Sequence, residues 1–408
     1  MDLLHPRCGG LDVHKDTVVA CARVVGERGV ERHVQTFETT TKGLLALSDW
    51  LTRHECTHVA MEATGVYWKP VWHMLEGSFE LVLANAMHVK NVPGRKTDVN
   101  DAMWIADLLA HGLIRASFVP ERPIQEMRAL TRTRKQLVRE RASHVQRIQK
   151  TLEDANIRIA SVIRDVTGKS GRAMLAAIIA GETDPEKLAE LGSPQLKASR
   201  TQIVEALRGR VTRNHRFLLK LHLDHIANLE ATIASLDGEI GENLEPFRCL
   251  ITLLKGIPGV SDIVAEVILS EIGHDMSRFP TVGHLISWAG LCPTNDESAG
   301  KRRSTRLRKG APWLKTSLVQ AAWGAGRTKE TYLRAQFLRL KSRRGPKKAI
   351  MAVAASLLTA VYFMLRDGVE YRDLGPDHFD RLEKGKLRRR MVRRLEELGY
   401  KVELSEAA

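Results

Sequence analysis

The chain has 408 residues, of which 43% are hydrophobic and 27% are charged. This composition allows a sizeable core and excludes wholesale disorder, and the length predicts two or three domains. Sixty-three Lys and Arg residues against forty-eight Asp and Glu residues leave a formal net charge of +15. Because each neutralised phosphate releases condensed counterions, the excess favours a nucleic-acid partner over an anionic membrane.

The N-terminus lacks the charged start, apolar run and cleavage site of a secretory signal, so we expect a cytoplasmic protein. The longest apolar stretch, residues 349–365, is shorter than the roughly 20 residues of a membrane helix and predicts a buried helix instead. No pair of cysteines has CxxC spacing, which predicts reduced structural thiols rather than a zinc site. The cysteines are Cys8, Cys21, Cys56, Cys249 and Cys292.

The first 120 residues alternate between strand and helix patterns. Residues 8–39 predict three short strands, and the segments that follow predict helix 42–54, strand 58–62, helix 66–75, strand 79–85 and helix 98–113. Three strands followed by alternating helices and strands indicate a mixed sheet with helices on its faces, as in an α/β ribonuclease H-like domain. We therefore predict such a domain over residues 1–120.

The remainder of the chain is predicted to be mostly helical. Residues 121–250 carry two long, charged helical patterns, to about residue 166 and over 194–244, which indicate a coiled-coil linker or oligomerisation arm, with a plain helical domain as the alternative. Residues 251–365 form a third region, in which a glycine turn at 255–260 precedes helix 261–272 as in helix-hairpin-helix modules; such turns are also common punctuation. Residues 366–408 form a basic tail, either an RNA-contacting extension or a solvated helix.

Four acidic residues stand where this topology would bring them together. Asp12 lies within the first strand and Glu62 ends the fourth, while Asp98 and Asp101 begin a helix three residues apart. Carboxylates gathered at one point repel each other unless hard cations bind among them, and Mg²⁺ prefers such oxygen ligands. In the alternative reading, Asp98 and Asp101 interact with the helix dipole and Asp12 forms a turn.

A serine precedes a strongly basic run in the third region. Ser298 lies in Ser-Ala-Gly-Lys, and no acid occurs from residue 301 to 315. A hydroxyl beside a cationic run is well placed to meet a phosphodiester, although Ser-Ala-Gly is also a common loop tripeptide. The candidate nucleic-acid-binding residues are Lys301, Arg302, Arg303, Arg306, Arg308 and Lys309.

Two distant sets of motifs carry a family resemblance. The N-terminal set is Gly-Leu-Asp-Val-His-Lys at 10–15, Glu-Ala-Thr-Gly-Val-Tyr-Trp at 62–68 and Lys-Thr-Asp-Val-Asn-Asp-Ala at 96–102. The C-terminal set includes Ile-Pro-Gly-Val at 257–260, Trp-Ala-Gly-Leu-Cys-Pro at 288–293 and Ser-Ala-Gly-Lys at 298–301. Together they resemble the DEDD transposases of bacterial insertion sequences, in family 110 with its 1111 subgroup.

The resemblance implies a RuvC-like nuclease domain, a coiled-coil linker and a transposase domain. Asp12, Glu62, Asp98 and Asp101 would then be the metal-binding acids, with Mg²⁺ as the expected cofactor, and Ser298 the nucleophile. Implied partners are donor and target DNA, a structured guide RNA encoded in the element, and further copies of the chain, as a dimer that assembles to a tetramer. On DNA the protein would be nucleoid-associated.

Three hypotheses remain open on the sequence. The first is an RNA-guided recombinase that forms a serine–phosphodiester intermediate. The second is a metal-dependent nuclease or Holliday-junction resolvase, which cuts with water and needs only the four acids. The third is an architectural nucleic-acid binder without catalysis.

Overall fold

The computed structural model describes residues 3–27, 29–63, 65–85, 89, 101–293, 296–298, 301–304, 306–307, 310–382 and 384–404. The chain divides into two compact units, Met1–Val119 and Pro120–Ala408. The first unit is built on a mixed sheet and the second is mostly helical.

The sheet of the first unit has the strand order β3-β2-β1-β4-β5 among the described residues. Strands β1, β2 and β3 form an antiparallel meander, and β4 and β5 run parallel to β1. The predicted order of elements is confirmed, and the architecture is consistent with a ribonuclease H-like domain. The elements are β1 (Arg7–Val13), β2 (Thr17–Gly26), β3 (Gly29–Glu38), α1 (Thr41–Arg53), β4 (His58–Glu62), α2 (Trp68–Leu75), β5 (Glu80–Ala84) and α3 (Asp101–Ala110).

Alternate residues of β1 and β4 pack on opposite faces of the sheet, as the period of a strand requires. Leu11 and Met61 belong to the core that includes residues of α1 and α2. Cys8 and Ala60 belong to a second core, together with Ile105 of α3. Residues at even positions of β1 and β4 therefore share the face that α3 covers.

Helix α3 lies against the centre of β1 because Gly10 has no side chain. A Cβ atom at Gly10 would stand 2.2 Å from the carbonyl oxygen of Ala102 and 2.4 Å from the backbone nitrogen of Ala106. Near the start of β1, the backbone nitrogen of Leu4 donates to the carbonyl oxygen of Ala110 at 2.9 Å. Helix α3 therefore runs antiparallel to β1, and its first residue lies toward the carboxyl end of that strand.

The cysteines are free thiols, in agreement with the sequence prediction. Cys8, Cys21 and Cys56 are buried in the first unit. Burial raises the pKa of Cys8 to about 11 and that of Cys21 and Cys56 to about 12. These thiols are protonated at neutral pH and are poor nucleophiles.

Two long helices dominate the start of the second unit, α4 (Arg122–Asp154) and α9 (Arg213–Leu244). They run antiparallel: Arg134 pairs with Asp237, and Arg141 pairs with Glu230 at 2.8 Å. The presence of two long helices is confirmed, whereas a coiled-coil supercoil stays a prediction.

The second long helix begins later than the predicted residue 194. Ser199 caps a separate short helix, and Thr212 opens α9 with a reciprocal capping box that uses His215. Between them, a Cβ at Gly209 would stand 2.3 Å from the carbonyl oxygen of Ala155, so the chain turns tightly there. Capping and close approach interrupt a helical pattern that hydrophobic periodicity alone reads as continuous.

A cluster of short helices occupies residues 159–206, part of which the sequence left unassigned. They pack their apolar side chains around Ile148 and Leu152 of α4 and Leu219 of α9, forming one buried core. This packing explains why α4 ends at Asp154 rather than near residue 166. The short helices are α5 (Ile159–Val162), α6 (Lys169–Ala180), α7 (Pro185–Glu190) and α8 (Arg200–Ala206).

The rest of the second unit packs around α15 (Pro346–Asp367), in which Val353, Leu357 and Val361 are buried. Among the described residues, α15 is long and apolar enough to cross a membrane by length and composition, but half of its apolar window is buried within the unit, as the sequence predicted. The other elements are α10 (Arg248–Lys255), α11 (Asp262–Ile272), α12 (Val282–Trp288), β6 (Asp296–Ser298), β7 (Lys301–Ser304), α13 (Pro312–Ala325), α14 (Tyr332–Arg344), α16 (His378–Leu382) and α17 (Lys384–Glu397).

A buried carboxylate fixes α4 to α11. Glu271 is 1% exposed at its side chain and accepts from Arg132 at 2.7 and 2.8 Å, and Arg128 lies 3.5 Å away. Burial lowers the pKa of Arg128 to about 10, the carboxylate of Glu271 opposing that shift. Removing one partner of a buried pair leaves an uncompensated charge and costs about 3–5 kcal/mol, so the start of α4 is firmly held.

We expect Gly10→Ala to destabilise the first unit by about 1–3 kcal/mol, because the new methyl group meets backbone atoms of α3 that cannot rotate away. Gly238→Ala in α9 is the control: its Cβ meets nothing within 4 Å, and alanine should stabilise that helix by about 0.5–1 kcal/mol. Urea unfolding measures both changes. Equal stability of Gly10→Ala and the unaltered protein would contradict the close approach of α3.

Candidate functional site

Asp12 and Glu62 lie side by side on neighbouring parallel strands. Leu11 of β1 pairs with Met61 of β4, so Asp12 and Glu62 occupy the next position in the same register. Asp12 and Glu62 are themselves even-numbered positions, so they belong to the face of the sheet that α3 covers. Both are partly exposed. The carboxyl ends of the two strands therefore bring two acidic side chains to one edge of the sheet.

Asp101 is the first residue of α3, and the antiparallel course of that helix directs its beginning toward the same edge. The backbone of Asp101 therefore begins α3 on the side of the sheet where Asp12 and Glu62 end their strands. Asp98, the fourth predicted acid, lies outside the described residues. Nε2 of His14 is 3.2 Å from Oδ2 of Asp12, whose side chain is 25% exposed.

The donor chemistry of this edge fits a hard divalent cation. Asp12, Glu62 and Asp101 offer carboxylate oxygens, which Mg²⁺ and similar ions prefer over nitrogen or sulfur. Within the part of the chain that the structure describes, no three His, Cys, Asp or Glu side chains are close enough together to hold a metal ion. Asp12, Glu62 and Asp101 therefore do not form a metal site by themselves in the described part of the chain.

Ser298 is the last residue of β6 and lies at the tip of a two-stranded hairpin. It pairs with Lys301, the first residue of β7. A bridge between Pro293 and Leu307 closes the base of the hairpin. In the register of the two strands, Ser298 therefore lies opposite the exposed residue Lys301.

The predicted basic residues follow the serine along this hairpin. Lys301 and Arg306 are exposed, and Arg302 and Arg303 lie on β7. Arg308 and Lys309 lie outside the described residues. Positive residues along a hairpin suit contact with a phosphate backbone.

The hairpin is anchored where the chain re-enters the helical body. Gly310 has φ +51°, and a Cβ there would stand 2.3 Å from the backbone nitrogen of Gly290. The backbone nitrogen of Ala311 donates to the carbonyl oxygen of Trp288 at 3.1 Å, and Nζ of Lys315 donates to that of Gly290 at 3.3 Å. Burial lowers the pKa of Lys315. These contacts fix both ends of the segment that carries Ser298.

Trp313, three residues beyond Gly310, ties the same region to α4. Three cations lie over its ring, at centroid distances of 5.8 Å for Arg132, 5.9 Å for Lys135 and 5.3 Å for Arg139. Each cation–π contact stabilises by about 0.5–1 kcal/mol at a partly exposed site. The sequence analysis missed this cluster, although the charges recur along one helix at spacings of three and four.

The glycine turn before α11 has a packing explanation. Gly259 has φ +85°, and a Cβ there would stand 2.3 Å from the carbonyl oxygen of Ala321 in α13. Oγ of Ser261 caps α11 by accepting from the backbone nitrogen of Val264. Close approach to α13 accounts for the glycine, and phosphate binding at this turn stays a prediction.

Comparison with known families covers both the segment that contains the acidic edge and the segment that contains Ser298. A family model for the DEDD transposases of IS110 elements, described as a transposase, matches residues 9–157. A second model, described as the transposase IS116/IS110/IS902 family, matches residues 251–337. The chain belongs to the IS110 family of transposases. The first match contains Asp12, Glu62, Asp98 and Asp101, and the second contains Ser298.

Two relatives of this transposase extend the comparison. An insertion element IS110 protein of Streptomyces coelicolor is 32% identical over 146 residues, which is 35% of each chain. A protein of Sinorhizobium fredii named as a transposase, y4qE, is 23% identical over 364 residues, 87% of this chain and 81% of its own. The second similarity runs through the helical region between the two family matches.

Membership of the family makes this protein an enzyme that acts on DNA, as a transposase or recombinase of an insertion element. A DEDD-type domain also implies a divalent metal. The carboxylate edge formed by β1, β4 and α3 has the donor chemistry for such an ion.

Proposed function

We propose that this transposase cuts and rejoins the DNA of an insertion sequence, with Ser298 as nucleophile and Asp12, Glu62, Asp98 and Asp101 as metal ligands. The observation that carries the proposal is the register of β1 and β4, which sets Asp12 beside Glu62 at the edge where α3 begins with Asp101. Neighbouring carboxylates repel each other, so a bound cation is the simplest reason for placing them side by side.

The cation expected there is Mg²⁺, which when bound would stabilise negative charge on the attacking and leaving oxygens of a phosphodiester. The residues of the chain would bind the metal ion, neutralise the phosphates and orient the ligands. The four carboxylates hold the ion, and Lys301 with the following arginines neutralises the phosphate backbone around the scissile bond. His14, whose Nε2 is 3.2 Å from Oδ2 of Asp12, would orient that carboxylate.

The chemical step transfers a phosphoryl group to the serine. Oγ of Ser298 forms a bond to phosphorus, the bond from phosphorus to the leaving strand oxygen breaks, and the hydroxyl proton passes to a carboxylate or water. The reverse reaction with a second strand restores the serine and joins the new DNA ends. Phosphodiester energy is conserved in the link, so rejoining needs no cofactor that carries energy.

In this proposal, a structured RNA encoded by the element selects the DNA sequences by pairing with donor and target DNA. The transposase then needs mainly phosphate contacts, and the basic hairpin and the net charge of +15 suit that task.

The chain would work as a dimer that assembles to a tetramer, joining the acids of one subunit with the serine of another, in the cytoplasm on nucleoid DNA. DNA cleavage would then occur only after the tetramer has assembled.

A second candidate is a metal-dependent nuclease or junction resolvase that cuts with water. The observation that favours it is that the acidic edge is built within the first unit, from β1, β4 and α3. In that case Ser298 is structural, and no covalent link to DNA forms.

We expect Asp12→Asn and Glu62→Gln each to lower metal-dependent DNA cleavage on the order of 10²-fold or more, because a group that stabilises the transition state through the metal is lost. The change is nearly isosteric, so DNA binding and folding should persist. Single-turnover cleavage assays with varied Mg²⁺ measure the effect. Asp49→Asn, at an exposed position of α1, is the matched control, and cleavage by Asp12→Asn at the rate of that control would refute the role of the carboxylate.

Ser298→Ala should abolish strand exchange and the covalent protein–DNA adduct while DNA binding remains, because only the attacking oxygen is removed. Denaturing gels of reactions with labelled DNA detect the adduct. Ser304→Ala removes a hydroxyl from the other strand of the same hairpin and should retain both activities. Cleavage without an adduct in the unaltered protein would favour the nuclease instead.

The RNA partner is tested by purifying the transposase from cells that carry the flanking DNA of the element and sequencing the retained RNA. We expect a single element-encoded transcript, enriched over total cellular RNA and released by raised salt because its contacts are mainly to phosphates. Retention of unselected cellular RNA alone would argue against a dedicated guide.

A further inference from the structure

A cluster of positive side chains lies where α14 meets α15, beyond residue 337 at which the family match ends. Three members belong to the last turn of α14 and two to the first turn of α15, and all five are exposed. We call them the elbow cluster: Lys341, Arg343, Arg344, Lys347 and Lys348.

The backbone brings these five residues to one end of a helical hairpin. Gly345, with φ +79°, ends α14 and reverses the chain before Pro346 begins α15. Nε2 of Gln336 donates to Oγ of Ser356 at 2.9 Å, ten residues on either side of Pro346, so the two helices run antiparallel. The connection between α14 and α15 is therefore the tip of a helical hairpin, and all five cations lie at this tip.

The two helices that form this tip carry no acidic residue near it. No Asp or Glu occurs from residue 331 to 366, and the flanking acids Glu330 and Asp367 stand at the opposite end of the hairpin. At 1.5 Å per residue, the 13 residues of α14 separate the two ends by about 20 Å, which is well beyond the Debye length in physiological salt. In the part of the chain that the structure describes, no ion pair involves a member of the elbow cluster.

Two of the cations oppose the stability of their own helix. Lys347 and Lys348 stand at the positive end of the α15 dipole, and the first turn of α15 has no acidic residue. Lys341, Arg343 and Arg344, at the negative end of α14, are favourably placed. Folding alone therefore does not account for the two lysines, whereas contact with an external polyanion does.

We propose that the elbow cluster binds the phosphodiester backbone of a nucleic-acid duplex, apart from the acids and the serine that carry out the chemistry. Five exposed cations at one tip, none in an ion pair among the described residues, suit contact with phosphates, and contacts of this kind position a duplex without reading its sequence. The inference goes beyond the proposed function because the contact holds whether or not the bound duplex is cut.

The test measures how the association constant of the full-length transposase depends on salt. The double variant Lys347→Gln/Lys348→Gln is compared with Lys42→Gln/Lys187→Gln, which removes two exposed lysines elsewhere. The probes are a DNA duplex of arbitrary sequence and an RNA duplex of equal length. For DNA, the magnitude of the negative slope of log association constant against log salt should decrease by about 1.8 for two lost phosphate contacts, at about 0.9 for each, and stay unchanged in the control.

The two probes identify the source of the phosphates. A smaller slope with the DNA probe alone assigns the elbow to DNA, and a smaller slope with the RNA probe alone assigns it to RNA. Slopes that equal those of the control variant with both probes would overturn the proposal.

A charge-reversed variant separates binding from folding. Lys347→Glu/Lys348→Glu puts acids at the positive end of the α15 dipole, so its melting temperature should equal or exceed that of the unaltered protein. Its affinity for the duplex should nevertheless be weaker than that of the glutamine variant. A fall in melting temperature together with affinity would show that the lysines serve the fold, which contradicts the proposal.

Discussion

The parallel pairing of β1 with β4, covered by α3, is the constraint on which the candidate site depends. Because the two strands run in the same direction, the residues that follow Leu11 and Met61 reach the same edge. Gly10 then lets α3 approach the sheet closely enough for the helix to begin at that edge. A side chain at that single position would move the helix and, with it, the carboxylate of Asp101.

Much of the first unit could be predicted because its signals are local. Strand β4 lies at the predicted residues, since a short apolar run bounded by polar residues has few other readings. The second long helix could not be placed correctly, because its true start depends on the Thr212 cap and on the close approach of Gly209 to Ala155, which hydrophobic periodicity does not register. The hairpin of β6 and β7 was missed because strands of three and four charged residues lack the apolar alternation of a strand.

The candidate site was predictable to the extent that topology decides it. The expectation that Asp12 and Glu62 share an edge needs only the order and direction of strands, which the sequence pattern supplied. The supporting contacts were not accessible in this way. Arg132 and Glu271 are 139 residues apart, and a glutamate on an otherwise apolar helix does not reveal which distant cation will meet it.

The buried position of Glu271 also bears on where this chain can be divided. A recombinant fragment confined to the second family match, residues 251–337, would contain Glu271 but neither Arg128 nor Arg132. Its interior would then hold a lone anion, and its solubility and folding yield would suffer for a reason unrelated to activity. Boundaries drawn by sequence similarity are thus poor guides for expression, and a fragment that starts at the first turn of α4 keeps the charges balanced.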